Sequence, residues 1–362
     1  MRADGAGGAD GSGDPDGFGG GLRVVALGGG HGLHATLTAL RRCPAVSQIT
    51  AVVTVADDGG SSGRLRRELG LLPPGDLRMA LAALAADDER GRFWSGLVQH
   101  RFGGNGALAG HAVGNLLLAG LLERGGDPVT ALEAVGGLLG CAGRVLPMAR
   151  VPLDIEAEVD LDGRDRPHRI RGQVAVASTP GRVRRVWLRP DGPPACDEAV
   201  RAVRDADAVL LGPGSWFTSV LPHLLVPGLR EALLTTTAAR VVLLNLTPEP
   251  GETAGFSPEQ HLEVLSGHAP DLRAHAVLAD SGSVPLPDRL HAAATDLLTP
   301  GGTVWLADVA DVDAATPRHD PDALAGVLLE VFEALVPQGR RTAARTRTGE
   351  HGPQRGRSPV WP

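Results

Sequence analysis

Between Val53 and Arg64 the chain reads Val-Thr-Val-Ala-Asp-Asp-Gly-Gly-Ser-Ser-Gly-Arg. Few plain turns gather so many ligand-type groups in so short a span. Asp57 and Asp58 can hold a divalent cation or accept from a sugar hydroxyl. They do not contact a phosphate directly, because like charges repel strongly in a low-dielectric cleft. Gly59, Gly60 and Gly63 allow backbone conformations in which successive N–H groups turn toward an anion. Ser61, Ser62 and Arg64 add donors. The plainer alternative is a tight strand-to-helix turn with capping serines.

Two further Gly-rich stretches carry similar chemistry. Gly28-Gly29-Gly30-His31-Gly32 follows an apolar run, and so does Gly212-Pro-Gly214-Ser215, with Thr218 and Ser219 close behind. Backbone donors after a strand suit phosphate at a helix N-terminus. The dinucleotide fingerprint nevertheless fails: counted from Gly28, Leu33 occupies the place of the third glycine. NAD is therefore not the expected cofactor.

These loops need strands and helices to hold them. The apolar, β-branched runs 22–27 and 49–55 are predicted as buried strands, with a helix over 33–42 between them. Asp76 either caps a helix over 77–86 or faces the cleft together with Arg78. Residues 91–140 read as helical. Within them His111 and Asn115 are four apart and so share a helix face, and Asn115 is a candidate ligand residue. From 144 to 189 apolar and polar residues alternate, which indicates a small antiparallel β insertion, including a strand at 174–176. Strands at 208–211, 240–246, 274–278 and 304–306, alternating with helices at 195–205, 258–266 and 322–336, restore an α/β rhythm.

The chain has 362 residues, 43% of them hydrophobic, and a net charge of −7. That supports a large core and argues against a general nucleic-acid binder. No apolar run is long enough to cross a bilayer, so neither nucleic acid nor membrane is an expected partner. Cys43, Cys141 and Cys196 are too scattered for a zinc site and read as buried free thiols. Residues 1–20 are Gly- and Asp-rich and read as a disordered leader. Residues 339–362, with six Arg against one Glu, read as a disordered basic tail.

Taken together, Gly28-Gly-Gly-His-Gly, Thr54-Val-Ala-Asp-Asp-Gly-Gly-Ser-Ser-Gly-Arg-Leu, Pro73-Pro-Gly-Asp-Leu-Arg, Ala109-Gly-His-Ala-Val-Gly-Asn, Gly212-Pro-Gly-Ser, Thr218-Ser-Val-Leu-Pro, Pro250-Gly-Glu-Thr and Arg318-His-Asp-Pro make a pattern. The chain resembles the gluconeogenesis-factor family of UDP-N-acetylglucosamine-binding proteins, within the larger group that contains 2-phospho-L-lactate transferase. The resemblance implies a Rossmann-like three-layer α/β/α body over 21–338, with a mostly parallel sheet. It implies a nucleotide-sugar ligand, a cytoplasmic location and a role in cell shape during gluconeogenic growth. Phe256, where the family commonly has a tyrosine, and Arg318 join the expected ligand residues. His31 stands where a threonine is common.

Two functions follow as expectations. The first is a regulator that senses a nucleotide sugar and passes its state to a protein partner, with a homo-oligomer compatible. The second is a transferase that moves a phospholactyl group from a nucleotide diphosphate to a deazaflavin, with Mg2+ on Asp57 or Asp58 against the diphosphate. A sensor and an enzyme can share one phosphate cleft, so the residues alone do not separate them.

Overall fold

The computed structural model describes residues 20–161, 166–249 and 251–337. Strands β1 (Leu22–Gly28), β2 (Val46–Val53) and β3 (Arg144–Pro147) open the main sheet. Strands β4 (Asp154–Asp160), β5 (His168–Arg171) and β6 (Arg182–Arg189) form a separate three-stranded antiparallel sheet. Strands β7 (Ala208–Leu211), β8 (Ala239–Leu243), β9 (Ala274–Asp280) and β10 (Leu298–Ala307) then return to the first. The main sheet has seven strands in the order β10-β9-β8-β7-β1-β2-β3. Its described pairings are all parallel.

Helices fill the connections. Helix α1 (Gly30–Arg42) joins β1 to β2. Helices α2 (Gly60–Leu69), α3 (Gly75–Leu84), α4 (Glu89–Gln99), α5 (Val113–Gly125) and α6 (Pro128–Leu139) lie between β2 and β3. The short α7 (Gln173–Ala177) belongs to the insertion, and α8 (Asp197–Asp205) leads into β7. Then come α9 (Pro222–Leu225), α10 (Pro227–Thr235), α11 (Pro258–His268), α12 (Pro287–Ala294) and α13 (Pro321–Leu335). With helices on both faces, β1 and β7 must be apolar on both sides, and β7 is buried at every residue. Each such Val or Leu contributes roughly 1.5–3 kcal/mol on leaving water.

The strand order reverses at β1, with β2 on one side and β7 on the other. Ligands in open α/β sheets bind at such a reversal, outside the carboxyl ends of the strands. The Gly28–Gly32 and Gly212–Ser219 segments leave those two neighbouring strand ends.

Several expectations need correction. Residues 144–147 are not part of the β insertion: β3 pairs parallel with β2 through Ala51↔Val145 and Val52↔Leu146. The antiparallel part begins at Asp154. Residues 174–176 are helical, because Asp58 Oδ1 accepts from Val174 N at 2.9 Å and so caps α7 from a distant loop. His111 precedes α5 rather than sharing its face with Asn115, since Gly110 has φ +75° and His111 N donates to Leu108 O at 3.0 Å. Helix α1 begins at Gly30, so His31 and Gly32 lie in its first turn. Strand β2 stops at Val53, which frees residues 54–59 as a loop. The predicted leader and tail lie outside the described residues, apart from Gly20. Pro250 also lies outside them.

Candidate functional site

The two outer glycine loops touch each other. A Cβ on Gly32 would fall 2.2 Å from Pro213 O, so only glycine lets the first turn of α1 rest on the second loop. Thr36, fully buried in α1, donates to Gly212 O at 3.4 Å. Asn245, just past β8, grips both backbone groups of Gly214: its Oδ1 accepts from the N–H at 2.8 Å and its Nδ2 donates to the carbonyl at 3.0 Å. Gly28 ends β1 behind this contact. Ser215 opens a π-helical turn, Trp216–Val220, that carries Thr218 and Ser219.

The central loop meets the first through α3. Gly59 is the N-cap of α2, and Gly60, at φ +43°, takes a conformation that side chains resist. Gly63 is forced by contact, since a Cβ would lie 1.7 Å from Asp58 O. Asp57 Oδ1 accepts from Gly59 N at 2.8 Å. A Cβ on Gly75 would fall 2.3 Å from Ser62 Oγ and 2.8 Å from Asp57 Oδ2, so the N-termini of α2 and α3 are pressed together. Asp76 lies in the first turn of α3 and does not cap it; Pro74 is the N-cap. Its carboxylate faces Gly29, whose Cβ would lie 2.6 Å from Asp76 Oδ2 and 3.2 Å from Ser219 Oγ. Of the two roles left open for Asp76, the cleft is the one realised.

Asp76 lies deep in the protein yet keeps an opening to solvent. Burial, reinforced by the Asp57 charge, pushes its carboxyl up to about 7. Burial also raises Asp57, against the pull of the Gly59 N–H and the Ser62 hydroxyl. Two carboxyls raised by burial, Asp76 also by the Asp57 charge, form a place where a cation or a hydroxyl donor is favoured. Asp58 is turned away to the insertion, where it caps α7.

Ser61, His111 and Asn115 form a buried cluster beyond Ser62. Ser61 Oγ lies 2.9 Å from His111 Nδ1 and accepts from Asn115 Nδ2 at 3.0 Å. Burial and then the Arg64 charge hold His111 below the usual histidine range, so it is neutral near pH 7. Arg64 donates to Ala109 O at 2.6 Å and so ties the loop before α5 to α2. Among the described residues, Thr54 Oγ1 and Asn115 Oδ1 are buried without a partner. Such atoms are what a ligand's polar groups satisfy.

Of two further expected residues, Phe256 stands apart and Arg318 lies beside the outer loops. Phe256 lies in a ring cluster, edge-on to Phe217 at 6.2 Å and His261 at 5.5 Å. With Glu252 and Arg182 it lines a separate cavity of about 410 Å3 beside the insertion. Arg318 lines a crevice of about 110 Å3 with Pro213, Gly214 and Asn245. Its guanidinium is paired with Asp311.

Sequence reading passed over Asn245, although the rule that selected Asp57, a polar side chain at the carboxyl end of a strand, applies to it equally. It also passed over Glu252, buried to 1%, whose Oε1 accepts from Phe217 N at 3.3 Å. Among the described residues no group of three or more His, Cys, Asp or Glu side chains is arranged to hold a metal. No described helix is long and apolar enough to cross a membrane.

Fold and crevice together define a Rossmann-like parallel α/β protein with glycine loops meeting at the strand reversal. The chain belongs to the 2-phospho-L-lactate transferase CofD family, whose model it matches over residues 24–299. It is 59% identical over 310 residues to a Mycobacterium tuberculosis protein provisionally named a gluconeogenesis factor, covering 84% of this chain and 89% of that one. It is 38% identical over 263 residues to the gluconeogenesis factor of Bacillus subtilis, covering 73% of this chain and 80% of the relative. A crystal structure of a UPF0052-family protein from Bacillus halodurans superposes with a TM-score of 0.75 at 33% identity, covering 88% of this chain and all of that one.

Proposed function

We propose that this protein is a cytoplasmic regulator that binds a nucleotide sugar, UDP-N-acetylglucosamine, and acts on cell shape during gluconeogenic growth. The observation that carries the reading is the meeting of three glycine loops at one crevice, with Asp57 and Asp76 at its centre. Diphosphate oxygens suit the backbone donors there, and sugar hydroxyls suit the carboxylates. Mg2+ needs only one or two protein carboxylates when phosphates and water complete its shell, and Asp57 with Asp76 beside it meets that need. Asp58, turned away to cap α7, stands outside that shell. The downstream element is a protein partner, and self-association is compatible with the reading. Nucleic acid and membrane have no part in it. Calorimetric titration is the test: UDP-N-acetylglucosamine binds and NAD binds more weakly or not at all. Equal or tighter NAD binding overturns the reading.

The family match favours one second reading, phospholactyl transfer from a nucleotide diphosphate to a deazaflavin. Release of free nucleotide that depends on the deazaflavin would establish it, and its absence under saturating donor would remove it.

A further inference from the structure

Arg78 is a buried cation without an ion pair at contact distance among the described residues. It lies in α3 and is 4% exposed. Among the described residues its guanidinium has no hydrogen bond and no ion pair, and Nε is fully buried without a partner. Its stem passes the first turn of α5: a Cβ on Gly114 would lie 2.9 Å from Arg78 Cγ and 2.8 Å from Val98 Cβ, so glycine there makes room for both. Its head lies within electrostatic reach of Asp57, Asp76 and Arg101. Burial lowers the guanidinium only to about 10, so it stays charged at neutral pH.

The first turns of α2 and α5, joined through Ser61 and Asn115, pack against this part of α3. The N-terminus of α2, at Gly59, and that of α5, at Ala112, both lack a side-chain cap. The positive dipole ends of these two turns favour an anion. Asn115 Oδ1, in the first turn of α5, is an acceptor without a partner and calls for a hydroxyl. A charge left unpaired inside a protein is strongly unfavourable, whereas an arginine fork matches an oxyanion with two parallel bonds.

We infer that Arg78 anchors an oxyanion subsite between the first turns of α2 and α5, where the crevice ligand places an acidic group beside a hydroxyl. The inference rests on the nucleotide-sugar reading and deepens it. The acidic group has two sources with the same chemistry: the diphosphate itself, or a carboxylate carried on the sugar.

The test is calorimetric titration of the parent, R78M and R78K with UDP, UDP-glucose and UDP-glucuronate. R42M, which removes an exposed cation paired with Asp322 on the far end of α1, controls for net charge. If the diphosphate is the source, R78M weakens all three ligands by at least about tenfold, the size of one charge-assisted hydrogen bond. If a sugar carboxylate is the source, only UDP-glucuronate loses affinity. R78K keeps the charge without the planar fork and falls between, and it carries the test if R78M does not fold. R78M binding all three as R42M does overturns the inference. Should the parent bind no uridine compound, the nucleotide-sugar reading fails by itself. The subsite is then judged by inorganic phosphate: a rise in parent Tm that R78M or R78K abolishes supports it, and no such rise overturns it.

Discussion

Gly29 and Asp76 are so close that the Cβ which Gly29 lacks would lie 2.6 Å from Asp76 Oδ2. The N-cap of α1 and the first turn of α3 thus share one wall of the crevice. Gly29→Ala must push the carboxylate aside and also strike Thr54 Cγ2, equally at 2.6 Å. Overpacking of this kind costs about 1–3 kcal/mol. Urea unfolding of G29A is expected to show that loss, together with weaker UDP-N-acetylglucosamine binding. Parent-like stability and binding would mean that the wall is soft and that α3 can move.

Asp57 and Asp58 have different tasks. Asp57→Asn removes a charge facing the crevice and is expected to weaken nucleotide-sugar binding by about 1.5–3 kcal/mol, the range for charge-assisted hydrogen bonds. Asp58→Asn keeps an oxygen for Val174 N and should bind nearly as the parent does. Asp58→Ala loses that cap, so hydrogen exchange at α7 should quicken. An identical loss from D57N and D58N would return both carboxylates to the ligand.

Asn245 makes two hydrogen bonds to Gly214, and neither can be replaced by alanine. Asn245→Ala should cost about 1–3 kcal/mol, because the Gly214 groups lose their partner. It should also raise the hydrogen-exchange rate of the Gly212–Ser219 segment and lower ligand affinity. Unchanged exchange there would show that Pro213 and Gly32 alone hold the loop.

Glu252 offers a pH signature. Burial pushes its carboxyl up to about 7, above an ordinary value of 4.5. Between those values the native state keeps a proton that the unfolded chain has released. Its contribution to stability is therefore fully present below the unfolded value and is lost as pH rises through about 7. Glu252→Gln is neutral throughout, so from about pH 5 to about pH 7 it should gain on the parent by up to about 1.4 kcal/mol per pH unit. Denaturant unfolding at several pH values measures this. His223, fully buried and lowered to about 4, works in the opposite sense: its contribution is present above the unfolded value and falls away on acidification. A variant that loses ground to the parent as pH rises would mean that the Phe217 N–H holds the charged carboxylate.

The α/β class, the two loops after β1 and β7, and Asp57 with its glycines were legible from residue types alone. Local rules suffice there: an apolar β-branched run must be buried on both faces, and glycines with hydroxyls at its end break it into a loop. The alternation rule misassigned residues 144–147 and 174–176, because a partner distant in sequence chose their state. Strand β2 recruited Val145 and Leu146 into the parallel sheet, and the Asp58 carboxylate capped α7. His111 and Asn115 do meet, yet through Ser61 Oγ rather than through a shared helix face. The choice of Asp76 for the cleft, the grip of Asn245 on Gly214 and the isolation of the Arg78 guanidinium arise only when α2, α3 and α5 bring their N-termini together. Spacing along a chain reports which face of its own element a side chain occupies. Which atoms fill the space opposite, and so whether a charge is paired or left for a ligand, is decided by packing between elements that the sequence separates.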